Sequence, residues 1–369
     1  MTKAITTRQA ILIIFIVMVS TKLVALPSII SYNMGANAWF VFAVSFVIDF
    51  AFLLLFLSIN SKLNMPLLTF VRLRFGKVIS TIFAVLVGIM MLFKTIQILV
   101  ATYLYFSEVI YVEINRVIFI CSLAVLVYYF GSRYMQSLAR SVEIVIFVVA
   151  GSLVLSLILS LKAINLENLL PFLNINFYTT TKTMLFHNLW FGDFWLMFFF
   201  VGNIKKQKNT NRRIIIGYLI SAIVVLVFVL AFTCTFDHIA PIFRVCIIDI
   251  TEVSPRLLDQ ARFSWLVNFT FPIALIYAMG IYSNCSVSCI KHILGKNAKS
   301  KTTISTILLL ASIATVAIIF NLIFTNLYYF LIDIYCYFNT AVQYVLPVVL
   351  LVLVQKPRCK NLMWRLQYD

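Results

Sequence analysis

The chain has 369 residues, of which 63% are hydrophobic and 11% charged, and it carries a formal net charge of +17. That much apolar surface exceeds what a soluble core absorbs, whereas a bilayer acts as solvent for it, so composition excludes a soluble globular domain. The charge does not point to nucleic acid, because the basic residues gather where the positive-inside rule would put them.

A helical crossing of the hydrocarbon takes about 20 apolar residues, and an open sheet would leave backbone amides unpaired in lipid. Ten apolar runs meet the requirement, near 10–31, 38–60, 79–106, 115–131, 141–161, 183–203, 214–236, 263–290, 303–324 and 329–355. The expected fold class is an all-α polytopic membrane protein with ten transmembrane helices in one domain. Lys3 and Arg8, then Lys62, Arg72, Arg74 and Lys77, then Arg133 and Arg140 occupy alternate gaps. The series continues with Lys205, Lys206, Lys208, Arg212 and Arg213, with Lys291, Lys296, Lys299 and Lys301, and with Lys356, Arg358, Lys360 and Arg365, making 21 of the 29 basic residues. Both termini are therefore expected in the cytoplasm. The first run is too long for a signal peptide and contains Pro27, so it reads as a retained helix. The cysteines stand singly, with no C-x-x-C pair and no metal spacing, and read as packing residues; no cofactor is expected.

Within the first span, Ser20-Thr21-Lys22-Leu23-Val24-Ala25-Leu26-Pro27 sets a charge, two hydroxyls and a proline into an apolar helix. Proline removes a backbone hydrogen bond and clashes with the preceding turn, so this segment is a helix-break candidate or an ordinary kink. The second span carries Asp49. In the third, Lys94 has Gln97 one turn on, and the pair could line a pathway, or Lys94 could pair with Asp49. Glu143, beside Arg140 at the inner end of the fifth span, reads as an interfacial salt bridge. The sixth span holds His187-Asn188-Leu189-Trp190-Phe191-Gly192-Asp193, a second break candidate with Gly192 beside a carboxylate. Asp333 falls among the tyrosines of an outer aromatic belt.

Ten spans divide into two sets of five that enter the membrane from opposite sides, which is the arithmetic of a 5+5 inverted repeat. Broken helices 1 and 6 then fall at corresponding places in the two halves. A charge inside the bilayer needs a partner or a polar lining. Lys22 and Asp193 are expected to pair and to face one polar cavity, the alternative being that Lys22 snorkels or pairs elsewhere.

The order of local motifs resembles the spore-germination permeases, the B subunits of germinant receptors, within the amino acid/polyamine/organocation transporter superfamily. The resemblance begins with Ile5-Thr6-Thr7-Arg8-Gln9, Leu26-Pro27 and Gly35-Ala36-Asn37-Ala38-Trp39. It continues through Leu138-Ala139-Arg140-Ser141-Val142-Glu143, Asn168-Leu169-Leu170-Pro171 and Phe191-Gly192-Asp193 to the stretch from Arg256 to Trp265. Asn37 stands where the family usually has aspartate, and Asp193 where it usually has glutamate. The resemblance implies a site formed by the first and sixth helices and lined by the third and eighth. Its ligand-binding candidates are Thr21, Lys22, Val24, Lys94, Gln97, His187, Gly192, Asp193 and Tyr277, with Pro27 and Gly192 as helix-break residues. Asn268 and Asn284 are further polar positions on the eighth span.

It also implies a protein of the bacterial endospore inner membrane, in contact with the lipid bilayer, that binds a small-molecule nutrient such as an amino acid. Its partners would be the germinant receptor A subunit and the lipoprotein C subunit, with no nucleic acid. The alternative is an active amino acid/cation secondary transporter, proton-coupled or uncoupled. An enzyme is not expected, since H-E-x-x-H and G-x-S-x-G are both absent.

Overall fold

The computed structural model describes residues 5–63, 65–109, 116–170, 175–253, 260–295 and 326–355. The expected ninth span, 303–324, and the side chain of Asp333 lie outside the described residues. Long helices dominate what is described, and five helical stretches are long and apolar enough to cross a membrane.

Helix α1 (Thr7–Lys22) opens with a reciprocal cap: Thr6 Oγ1 accepts from Gln9 N–H at 3.2 Å, and Gln9 Oε1 accepts from Thr6 N–H at 3.1 Å. Two orphan donors of the first turn are thereby satisfied. The helix ends at Lys22, residues 23–25 are not helical, and α2 (Leu26–Met34) starts afresh with Pro27 in its first turn. Proline is tolerated there because its missing N–H would have lacked an intrahelical partner anyway. Pro27 therefore opens a new helix and does not bend a continuous one.

α3 (Ala38–Lys62) follows, then α4 (Leu67–Val109), whose residue Gly76 at φ 85° divides a short basic segment from the long third span. α5 (Arg116–Ser132) and α6 (Met135–Ser160) are joined by a tight turn. α6 starts six residues before the expected 141, since Gln136, Ser137 and Arg140 dilute the hydropathy of its opening turns. The expected sixth span, 183–203, is several short pieces: α7 (Phe177–His187), 3₁₀ turns Asn188–Trp190 and Asp193–Trp195, and α8 (Leu196–Phe200). α9 (Thr210–Phe236) is followed by the short α10 (Cys246–Glu252), and α11 (Gln260–Leu294) and α12 (Asn326–Gln355) complete the described helices.

α1 packs against α6, α9 and α11, and α11 packs along α4 and α5. Small residues permit these approaches, as is usual where lipid supplies no hydrophobic drive between helices. A side chain at Gly280 would run into Phe130 of α5, and one at Gly217 into Ile11 of α1. Asn284 donates to the Arg133 carbonyl at 2.6 Å and so fastens the end of α5. The outward faces stay apolar: on α6, Ile144, Phe147, Val154 and Ile158 are all exposed, the pattern of a lipid-facing helix.

Candidate functional site

The two interruptions meet. Lys22, the last residue of α1, donates its ammonium to the Asp193 carboxylate in the sixth-span segment, and both side chains are buried. Lys94 of α4 approaches the other carboxylate oxygen at 3.9 Å, and Tyr282 of α11 donates its hydroxyl to that same oxygen. One carboxylate thus gathers groups from the first, third and eighth spans. The Lys22 ammonium also lies over the rings of Phe191, at 5.5 Å, and Phe46, at 5.9 Å, while Lys94 lies over Tyr282 at 5.4 Å. Such contacts help offset the loss of hydration that burial imposes on an ammonium.

Local backbone geometry explains why Asp193 can serve so many partners. Gly192 adopts φ +81°, which frees the segment from helical pairing, and a Cβ at that position would collide with Gln343 of α12. Residues in this conformation are strained unless they are glycine. The Gly192 N–H donates to Asp49 Oδ2 of α3 at 2.8 Å. The carbonyls released by the turn are also used: Lys94 donates to Leu189 O at 3.1 Å and to Phe191 O. Lys94 therefore pairs with Asp193 and with freed backbone, and the alternative pairing with Asp49 is not the one adopted.

Behind the cluster a polar network ties the sixth span to α12. Asn188 Oδ1 accepts from Gln343 Nε2 at 3.0 Å and from Tyr344 OH at 2.7 Å, and Asn188 Nδ2 donates to Thr340 at 3.2 Å. Gln343 Oε1 accepts from Asn339 at 3.1 Å, and the Gln343 carbonyl accepts from Trp195 Nε1 at 3.1 Å.

Of the sequence candidates, Lys22, Lys94, Gly192 and Asp193 come together here. Others do not share these contacts. Thr21 donates to the Val17 carbonyl within its own helix at 2.8 Å. Val24 lends its carbonyl to the Cys246 N–H at 2.7 Å, so the first interruption is where α10 docks. Tyr277 packs its ring on Phe130, and Gln97 and His187 are half-buried nearby. Pro27 lies within α2, past the interruption. Glu143 makes the expected interfacial bridge, but to Arg8 at 3.7 Å, because α1 and not its own helix brings a cation within reach. Sequence reasoning missed Tyr282, one of 17 tyrosines and without a distinguishing pattern. It also missed Asn339 and Gln343, whose i, i+4 spacing in an apolar run was an available signal.

A family model described as spore germination protein matches residues 4–329 of the chain. No curated protein matches it.

Proposed function

The chain belongs to the spore germination permease family, and from that membership and the buried charge cluster we propose that it is the nutrient-binding subunit of a spore germinant receptor. Family and apolar helices alike make it a permease-like integral membrane protein. On this reading an amino acid or similar small molecule binds among the first, third, sixth and eighth spans. Occupancy shifts a conformational equilibrium that is passed to A and lipoprotein C partner subunits. The scaffold is a single-domain 5+5 inverted repeat of ten spans in the endospore inner membrane with both termini cytoplasmic, residues 23–25 and 188–195 being the broken parts of helices 1 and 6.

The observation that carries the reading is the meeting of Lys22 and Asp193, one from each interrupted segment, with Lys94 and Tyr282 closing on the same carboxylate. A buried charge network at such a junction marks a substrate or ion pathway by default. Thermal shift of the purified protein across amino acids, sugars and nucleosides, repeated on Lys22→Ala and Asp193→Ala, tests it. A shift with one compound that both variants lose supports the site; the same shift in wild type and variants refutes it.

A second reading, an amino acid/cation secondary transporter that is proton-coupled or uncoupled, draws on Lys94. Its ammonium takes the freed carbonyls of Leu189 and Phe191, oxygens of the kind that coordinate sodium in broken-helix transporters. Net uptake into vesicles by this chain alone, without a sodium requirement, would select it over the receptor.

A further inference from the structure

We infer that Asp49, on the second span, is the carboxylate that receives the ammonium group of the bound molecule. The inference rests on the nutrient-binding reading and adds to it a residue from a helix outside the expected lining.

Asp49 is 1% exposed, and its two oxygens are unequally served. Oδ2 accepts from Gly192 N–H at 2.8 Å, whereas Oδ1 has no hydrogen-bond partner among the described residues. Both nearby lysines are committed to Asp193. The four formal charges of Lys22, Lys94, Asp49 and Asp193 sum to zero, yet the cations crowd one carboxylate and leave the other short of a donor. A buried carboxylate oxygen left bare is unfavourable, so the position is set for a cationic or donating group.

The bond to Gly192 fixes Asp49 beside the sixth-span interruption, where a molecule bound at the junction lies within its reach. Phe46, on the same helix, and Phe191, next to Gly192, sit edge to face with ring centroids 5.7 Å apart and carry the Lys22 ammonium over their rings, so a ligand carboxylate that draws Lys22 away leaves those faces to the ligand's own ammonium. Lys22 and Lys94 lie within electrostatic range of Asp49 but spend their hydrogen bonds on Asp193 and on backbone carbonyls, and Tyr218 of α9 and Tyr344 of α12, also within range, bring no positive charge. Because the cluster is already neutral, a zwitterion enters without adding net charge, whereas a simple amine adds one and a 2-hydroxy acid subtracts one. The preferred class is therefore a molecule bearing both an ammonium and a carboxylate.

The test uses the full chain in lipid nanodiscs and equilibrium binding of paired probes: each of the standard amino acids and the 2-hydroxy acid of the same side chain. Wild type is expected to favour one amino acid over its hydroxy partner by about tenfold or more, the scale of a charge-assisted hydrogen bond. Asp49→Asn, which mimics a protonated carboxyl and can still accept from Gly192, is expected to bind both probes equally weakly. Asp49→Glu is expected to keep the preference. Wild-type discrimination that persists in Asp49→Asn overturns the role of Asp49 and leaves the nutrient reading standing. Binding of neither probe series by wild type overturns both. If Asp49→Asn does not fold, infrared difference spectra of ¹³C-aspartate-labelled wild type and Asp49→Glu decide: an amino acid but not its hydroxy partner should shift a labelled carboxylate band in wild type that is missing from Asp49→Glu, and no shift, or the same shift in both, overturns the assignment.

Discussion

Replacing Asp193 by asparagine removes the one carboxylate on which Lys22, Lys94 and Tyr282 converge. Lys94 keeps two backbone carbonyls, but Lys22 loses its hydrogen-bonded partner while fully buried, and the cluster goes from neutral to +1. Removing one member of a buried ion pair costs about 3–5 kcal/mol, and an unpaired charge at the centre of a bilayer costs roughly 2.5–3.5 kcal/mol on insertion scales. The two figures overlap, so the variant should lose about 3 kcal/mol. Lys22→Met alone leaves Asp193 with Lys94 and Tyr282 and should cost less, about 1–3 kcal/mol, as for a buried polar group deprived of one bond. The double variant removes the orphaned charge, so its loss should fall short of the sum by about 0.5–3 kcal/mol. Unfolding in mixed micelles with rising detergent denaturant, followed by tryptophan fluorescence, measures all four corners of the cycle. Additivity within about 0.5 kcal/mol would refute the claim that these two residues stabilise one another.

Gly192→Ala forces a side chain into a left-handed backbone position and against Gln343, and a loss of about 1–3 kcal/mol is expected in the same titration; an unchanged midpoint would mean the turn can be made otherwise. Gln343→Leu takes one partner each from Asn188 and Asn339 and should cost about 1–3 kcal/mol, whereas Asn211→Leu, part-buried with a long bond to Leu57 O at 3.4 Å, should cost far less. Burial, aided by Glu252 and Glu108, pushes the Asp249 carboxyl of α10 from 3.8 up to about 7, against the opposing Val245 N–H bond. An undocked α10 ionises near the lower value, so docking should weaken as pH rises from about 4 to about 7 and stay level above. Hydrogen exchange of α10, corrected for intrinsic rates, should then show less protection at pH 8 than at pH 5, and Asp249→Asn should abolish the difference.

Lys22 and Asp193 could be singled out from sequence because a charge in an apolar run is costly enough to demand an explanation. The partners of Lys94 could not, because two of them are backbone carbonyls, and a carbonyl freed by a turn leaves no mark in the side-chain pattern. Pro27 marks an irregularity, yet the interruption lies at 23–25, since proline sits most comfortably in the first turn of the helix that follows a break. α10 and the basic segment ahead of Gly76 were passed over because each is too short to show a span and too apolar to read as a loop. The Val24 carbonyl accepts from the Cys246 N–H at the start of α10, a contact made with a helix more than 200 residues along the chain and therefore invisible in the local pattern around Lys22.

The sixth-span turn touches much of the described bundle through very few residues. Gly192 directs its N–H to the second span, makes room for Gln343 of the last, and presents Asp193 to the first, third and eighth. On the proposed function, two packed arrangements of such a turn would differ in contacts on five helices at once, and a small local change would become a discrete switch. The Lys22–Asp193 pair cannot simply part, because each charge would be left buried. On the proposed reading, a zwitterion resolves that difficulty: its carboxylate takes Lys22 and its ammonium takes Asp49, while Asp193 keeps Lys94 and Tyr282, so separation of the pair and occupancy of the site become the same event. A ligand lacking either charge should then fail to shift the equilibrium even if it fits, because it would bind both arrangements equally well.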